Sequence, residues 1–137
     1  MPSSPELDLY PDTPYAYVAV APPGRLVFTA GACPLDETGQ IVSPGDFEAQ
    51  AARTVANLRL ALAAAGAGFE DVLKTTVYVT AETRAELVRV WDVVEAAFGA
   101  ARPPSTLLGV SLLGYTHQLV EIEAVAVAPV RPPVRDL

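Results

Sequence analysis

Apolar residues recur along this chain with two different periods. From Tyr15 to Ala21 and from Arg25 to Gly31, aromatic or branched residues alternate with small or polar ones, which predicts two strands. Pro22-Pro23-Gly24 between them predicts a hairpin turn. Pro34 to Gly45 is rich in turn residues, and Ile41-Val42 within it predicts a brief extra strand. Asp46 then stands as a helix N-cap before a stretch free of Pro and Gly up to Gly66. Within that stretch Ala51, Val55, Leu58, Leu62 and Ala65 recur at steps of three or four, the spacing of one helix face. Leu73 to Thr80 is rich in branched residues and predicts a strand. Thr83 to Phe98 predicts a second helix, with Leu87, Trp91, Val94 and Phe98 on one face, ended by Gly99 and Pro103-Pro104. Ser105 to Leu113 and Gln118 to Ala128 predict two final strands around the turn Gly114 to His117. The order β-β-α-β-α-β-β specifies a single α+β domain over residues 15–128, two helices lying on one face of a mixed sheet. The four prolines of residues 1–14 predict an irregular N-terminal arm, and residues 129–137 a proline-rich C-terminal tail outside the core.

Composition adds a partner to this picture. Of 137 residues, 51% are hydrophobic and only 18% charged, which excludes intrinsic disorder. A single small domain has too few charges here to cover its surface, so some apolar area is expected to face another subunit. The net charge is −7, with one lysine (Lys74) and dispersed arginines. That excludes the clustered positive charge needed to track phosphates, so neither nucleic acid nor an anionic membrane is expected as a partner. No basic segment followed by an apolar run stands at the N-terminus, and no apolar run reaches a bilayer's length. The lone Cys33 permits no internal disulfide, and one Cys with one His (His117) makes no zinc site. The expectation is a cytoplasmic protein in a reducing setting, with neither metal nor cofactor.

Few side chains look reactive. Glu121 and Glu123 lie two apart on a predicted strand and so leave the same face, while Val120, Ile122, Ala124 and Ala126 leave the other. The pair is either a solvated strand face or a cleft carboxylate that orients a water or a substrate proton. Cys33, at a strand end, reads as a small buried hydrophobe or a nucleophile. His117 fits a surface turn, and Trp91 fits the helix core. Ser105 and Thr106 could cap a strand or hydrogen-bond at a cleft mouth.

Taken together, several segments resemble the Rid (YjgF, reactive intermediate deaminase) family, also labelled endoribonuclease L-PSP. They are Phe28-Thr29-Ala30-Gly31, Pro34-Leu35-Asp36, Gly39, Gln50, Asn57-Leu58, Ala65-Gly66-Ala67, Asp71 to Val79 and Val120 to Ala126. The resemblance implies a chorismate mutase-like fold, a homotrimer, and small-molecule clefts between neighbouring subunits. It also implies hydrolysis of reactive enamines and imines to keto acids and ammonia. In such deaminases a glutamate on the last strand positions the attacking water, matching Glu121. A cleft tyrosine matches Tyr17, and a strand-end segment whose backbone lines the cleft matches Gly31 and Cys33. The family's carboxylate-clamping arginine falls at Ser105 in the segment Pro103-Pro104-Ser105-Thr106. A hydroxyl cannot supply a charged, bidentate fork, and Arg102 lies about 10 Å back along an extended chain, on the opposite face. The pattern resembles a subgroup lacking the arginine. Trp91, Ser105 and Thr106 would then line a cleft suited to a more neutral or aromatic ligand. Three functions remain open: a hydrolase of altered substrate preference, a non-catalytic trimeric binder or regulator, and a ribonuclease or translation inhibitor, against which the acidic charge argues.

Overall fold

The computed structural model describes residues 8–130; the first seven residues of the predicted arm and residues 131–137 of the predicted tail lie outside that range. Four strands and two helices form the domain: β1 (Arg25–Phe28), α1 (Phe47–Ala64), β2 (Val72–Val79), α2 (Arg84–Phe98), β3 (Ser105–Gly109) and β4 (Val120–Ala128). The sheet order is β1-β4-β2-β3. β4 is antiparallel to both its neighbours, and β2 runs parallel to β3, as strands joined by a helical crossover do. The fold is α+β, with both helices on one face of a mixed sheet, as the alternation predicts.

Helix starts follow the sequence closely. Asp46 caps α1 by accepting from the Ala49 amide at 2.9 Å. Thr83 and Glu86 form a reciprocal capping box at the start of α2. Ala51, Val55, Leu58 and Leu62 of α1 are buried, as are Val90, Val94 and Phe98 of α2. They meet Val72, Val77 and Val79 of β2 and Val120, Ile122, Ala124 and Ala126 of β4, which form the sheet's half of the core. Leu87 and Trp91 of the predicted α2 stripe are only half-buried, and Val90 takes the central core position.

The predicted first strand, Tyr15 to Ala21, forms no ladder, so the order begins with one strand rather than a hairpin. The reason is where its start is held. The Thr13 hydroxyl donates to Tyr15 O, Tyr17 OH donates to Tyr10 O, and Arg102 donates to Thr13 O. These bonds fix the segment near β3, at the opposite edge of the sheet from β1. The chain must then run to β1, and Pro22 and Pro23 lack amide donors for a hairpin. Ile41, predicted as a short strand, makes a single bridge with Leu35. β3 stops at Gly109, four residues before its predicted end.

One sheet face carries no helix. Pairing directs Leu26, Phe28, Tyr78, Leu108, Glu121 and Glu123 to this open face. Leu26 is 59% exposed and Phe28 72% exposed there. The core is instead set by α1: Leu58 is fully buried, and Leu58→Ala is expected to cost about 2–5 kcal/mol. Asp46→Ala, which removes only a cap, is expected to cost about 1 kcal/mol. Urea denaturation of both variants checks the ranking; an equal loss would mean that α1 is not the anchor of the core.

Candidate functional site

Glu121 owes its position to its neighbours. Val120 and Ile122 are fully buried against the helices, so the strand pleat turns Glu121 to the open face, opposite Tyr78. Oε1 of Glu121 accepts from Gln118 Nε2 at 3.2 Å and from the Cys33 thiol at 3.3 Å. Gln118 is itself held, its Nε2 also donating to Val120 O and its Oε1 accepting from the Tyr115 amide. It is 96% buried, so its amide has little freedom to turn away. Among the described residues no donor reaches Oε2 of Glu121. One carboxylate oxygen is therefore tethered, and the other is available to a water or ligand.

Gly31 makes room for this arrangement. A Cβ at residue 31 would lie 2.3 Å from Oε2 and 2.5 Å from Cδ of Glu121. Only a hydrogen fits there. Next to it, Ala32 bridges to Ile122 through two backbone hydrogen bonds, which pins the segment to β4. Cys33 follows with its thiol against Glu121. Burial first, then the bond to the carboxylate and its charge, push the thiol up to about 11. Cys33 is thus a hydrogen-bond donor to Glu121 at neutral pH, not a thiolate nucleophile. Two residues along the strand, Glu123 Oε1 accepts from Tyr78 OH at 2.6 Å, and that bond raises the phenol above its usual range.

The other sequence-predicted residues gather elsewhere. Tyr17, Trp91, Ser105 and Thr106 line a cavity of about 650 Å³ at the β3 edge, together with Lys74 and Leu107. Ser105 Oγ lies 2.5 Å from Thr75 Oγ1, whose residue is buried, and donates to Pro103 O. The Ser105 hydroxyl is therefore spent on the fold. Thr106 Oγ1 accepts from Lys74 Nζ at 2.5 Å. The Trp91 indole nitrogen is buried without an acceptor. Arg102 does not line this cavity; its guanidinium straps the N-terminal arm through Thr13 O. Glu121, Gly31 and Cys33 thus form one group and Tyr17, Trp91, Ser105 and Thr106 another, with β2 between the strands that carry Glu121 and Ser105.

Among the described residues, no three His, Cys, Asp or Glu side chains come together as a metal site requires. Nor is any helix long and apolar enough to cross a membrane.

A sequence model described as endoribonuclease L-PSP matches residues 7–128, nearly the whole described chain. The chain belongs to this family, also known as Rid or YjgF. A RutC family protein of Pyrococcus abyssi is 36% identical over 104 residues, covering 75% of this chain and 79% of that protein. The solved structure of the Rid family protein YyfB from Yersinia pestis matches with a TM-score of 0.81 at 30% identity, over 88% of this chain and 92% of that one. Escherichia coli TdcF, named a reactive intermediate deaminase and solved with bound serine, matches with a TM-score of 0.65 at 29% identity, over 85% of this chain and 95% of its own. The family fold accounts for the strand order.

Sequence reasoning missed Gln118, whose signal was a polar residue just before the last strand. It counted Lys74 only as charge. The Cys33–Glu121 contact is directly checkable. Iodoacetamide should alkylate Cys33 slowly at pH 8, with the rate rising towards pH 11, and Glu121→Gln should speed alkylation at pH 8 by removing the part of the shift that the carboxylate causes. A wild-type midpoint near the ordinary value of about 8.5 would show that the thiol does not face the carboxylate.

Proposed function

We propose that this protein is a Rid-type hydrolase acting on a small imine or enamine in a cleft completed by neighbouring copies of a homotrimer. The observation that carries the reading is the divided carboxylate of Glu121, one oxygen tethered by Gln118 and Cys33 and the other open beside Gly31. Oε2 takes a proton from water as the water oxygen attacks the C=N carbon. That proton passes to nitrogen to give a carbinolamine; its hydroxyl then yields the second proton, which also goes to nitrogen, as the C–N bond breaks and a carbonyl compound and ammonia leave. An enamine enters the same path after its carbon is protonated to the imine. The exposed Leu26 and Phe28 on the open sheet face support burial against further copies. The TdcF structure with bound serine supports a small amino-acid-like ligand. A reducing, cytoplasmic setting suits a site that keeps Cys33 as a thiol.

Ser105 favours an altered substrate preference, because no guanidinium fork stands at that position to select a carboxylate. The same residue supports the second reading, a trimeric binder that takes a small molecule without turning it over. Net charge −7 argues against ribonuclease activity.

Purified protein added to freshly generated 2-aminoacrylate should release pyruvate faster than buffer alone. Glu121→Gln should lower that rate by about 100-fold or more, and Ser105→Arg should raise it on this carboxylated substrate. A wild-type rate equal to buffer would favour the binder.

A further inference from the structure

The sheet's one irregularity places its one lysine. β2 and β4 pair Val72 with Ala126 but Lys74 with Val125, so an extra residue, Leu73, bulges from β2. Without the bulge, strict alternation would send Lys74 to the same face as Val72, into the helix-packed core. With it, Lys74 moves to the face of Thr106, and Thr75 takes the buried position against Ser105. Lys74 is the only lysine in the sequence. Its ammonium carries three donors, of which the Thr106 hydroxyl takes one. Among the described residues the ion pairs are Arg53–Glu37 and Arg89–Glu48, and no carboxylate lies within ion-pair distance of Lys74. An acidic chain thus leaves one half-buried cation without a counter-charge at a cavity of about 650 Å³, within the size range of small-molecule sites.

The walls beside that cation are aromatic. Tyr17 and Trp91 line the same cavity, and the buried Trp91 N–H has no acceptor. Arg102 is held by the arm, so among the described residues Lys74 is the one basic side chain lining the cavity. We infer that this cavity binds small aromatic or apolar monocarboxylates, with the Lys74 ammonium as the anion contact and Tyr17 and Trp91 against the apolar part. This rests on the hydrolase reading only in assigning the ligand to that site's substrate class; binding itself needs no turnover. A point charge replaces a fork, so affinity tracks a single anionic group and tolerates varied geometry around it.

Trp91 is the sole tryptophan, so its emission reports the cavity directly. Excited selectively, it should change saturably when the full-length protein is titrated with 3-phenylpropanoate, and far less with the neutral 3-phenylpropanamide. Lys74→Met, which keeps the side chain's length, should weaken binding of the acid by about tenfold or more while leaving the amide unchanged. Lys74→Arg should restore most of the acid's affinity. Wild-type protein that binds the acid in a Lys74-dependent way yet releases no pyruvate from 2-aminoacrylate overturns the hydrolase alone, which separates this site from turnover. Equal affinity for acid and amide, unchanged binding by Lys74→Met, or no saturable response at millimolar acid each overturns the assignment.

Discussion

The structure depends on the alternation of β4. This strand is hydrogen-bonded on both sides, and its even-numbered residues from Val120 to Ala126 are buried against the two helices. A slip of one residue would place Glu121 and Glu123 in an apolar core and Val120 and Ile122 on the open face. The cost of burying those carboxylates fixes the register. Everything on the open face, Glu121 above all, is positioned by what its neighbours bury.

That constraint explains why the Glu121 carboxylate can be held so firmly with few direct contacts. Gln118, itself buried, ties one oxygen of Glu121 to the chain that enters β4, and the Ala32 bridge brings Gly31 and Cys33 against it. Gly31 leaves the carboxylate's position free, since a side chain at residue 31 would push the carboxylate out of it. The thiol serves as a donor whose proton is retained first by burial and then by the carboxylate it supports. In the neighbouring strand β2 the same economy appears differently. There a single bulged residue converts a core position into a charged wall.

Much of this was legible in the sequence where a local pattern carries the information. The caps at Asp46 and Thr83, the stripe of α1 and the two faces of β4 are readable because period and chemistry agree. Tyr15 to Ala21 has the alternation of a strand, but pairing needs a partner edge. Hydrogen bonds from Tyr17 and Arg102 keep its start at the opposite edge from β1. The bulge at Leu73 was invisible because the run Leu73 to Thr80 reads as an unbroken strand, and with it the placement of Lys74. Ser105 stood out in the sequence, yet not that its hydroxyl pairs with Thr75. The split of the candidate residues into two groups follows from strand order, which no single segment encodes.

Joining these two groups is the work of assembly in this account. In the proposed trimer, an exposed apolar sheet face with acids along it would be a half-site as well as an interface. Neighbouring copies would close Glu121 of one cleft against aromatic walls and a cation supplied around it. The most direct measurement is a crystal structure of the Glu121→Gln trimer soaked with a stable ketone or oxime analogue of the imine. The account predicts the analogue in an inter-subunit cleft, with its electrophilic carbon or a bound water within hydrogen-bond reach of residue 121. A monomer, or an analogue bound away from residue 121, would contradict it.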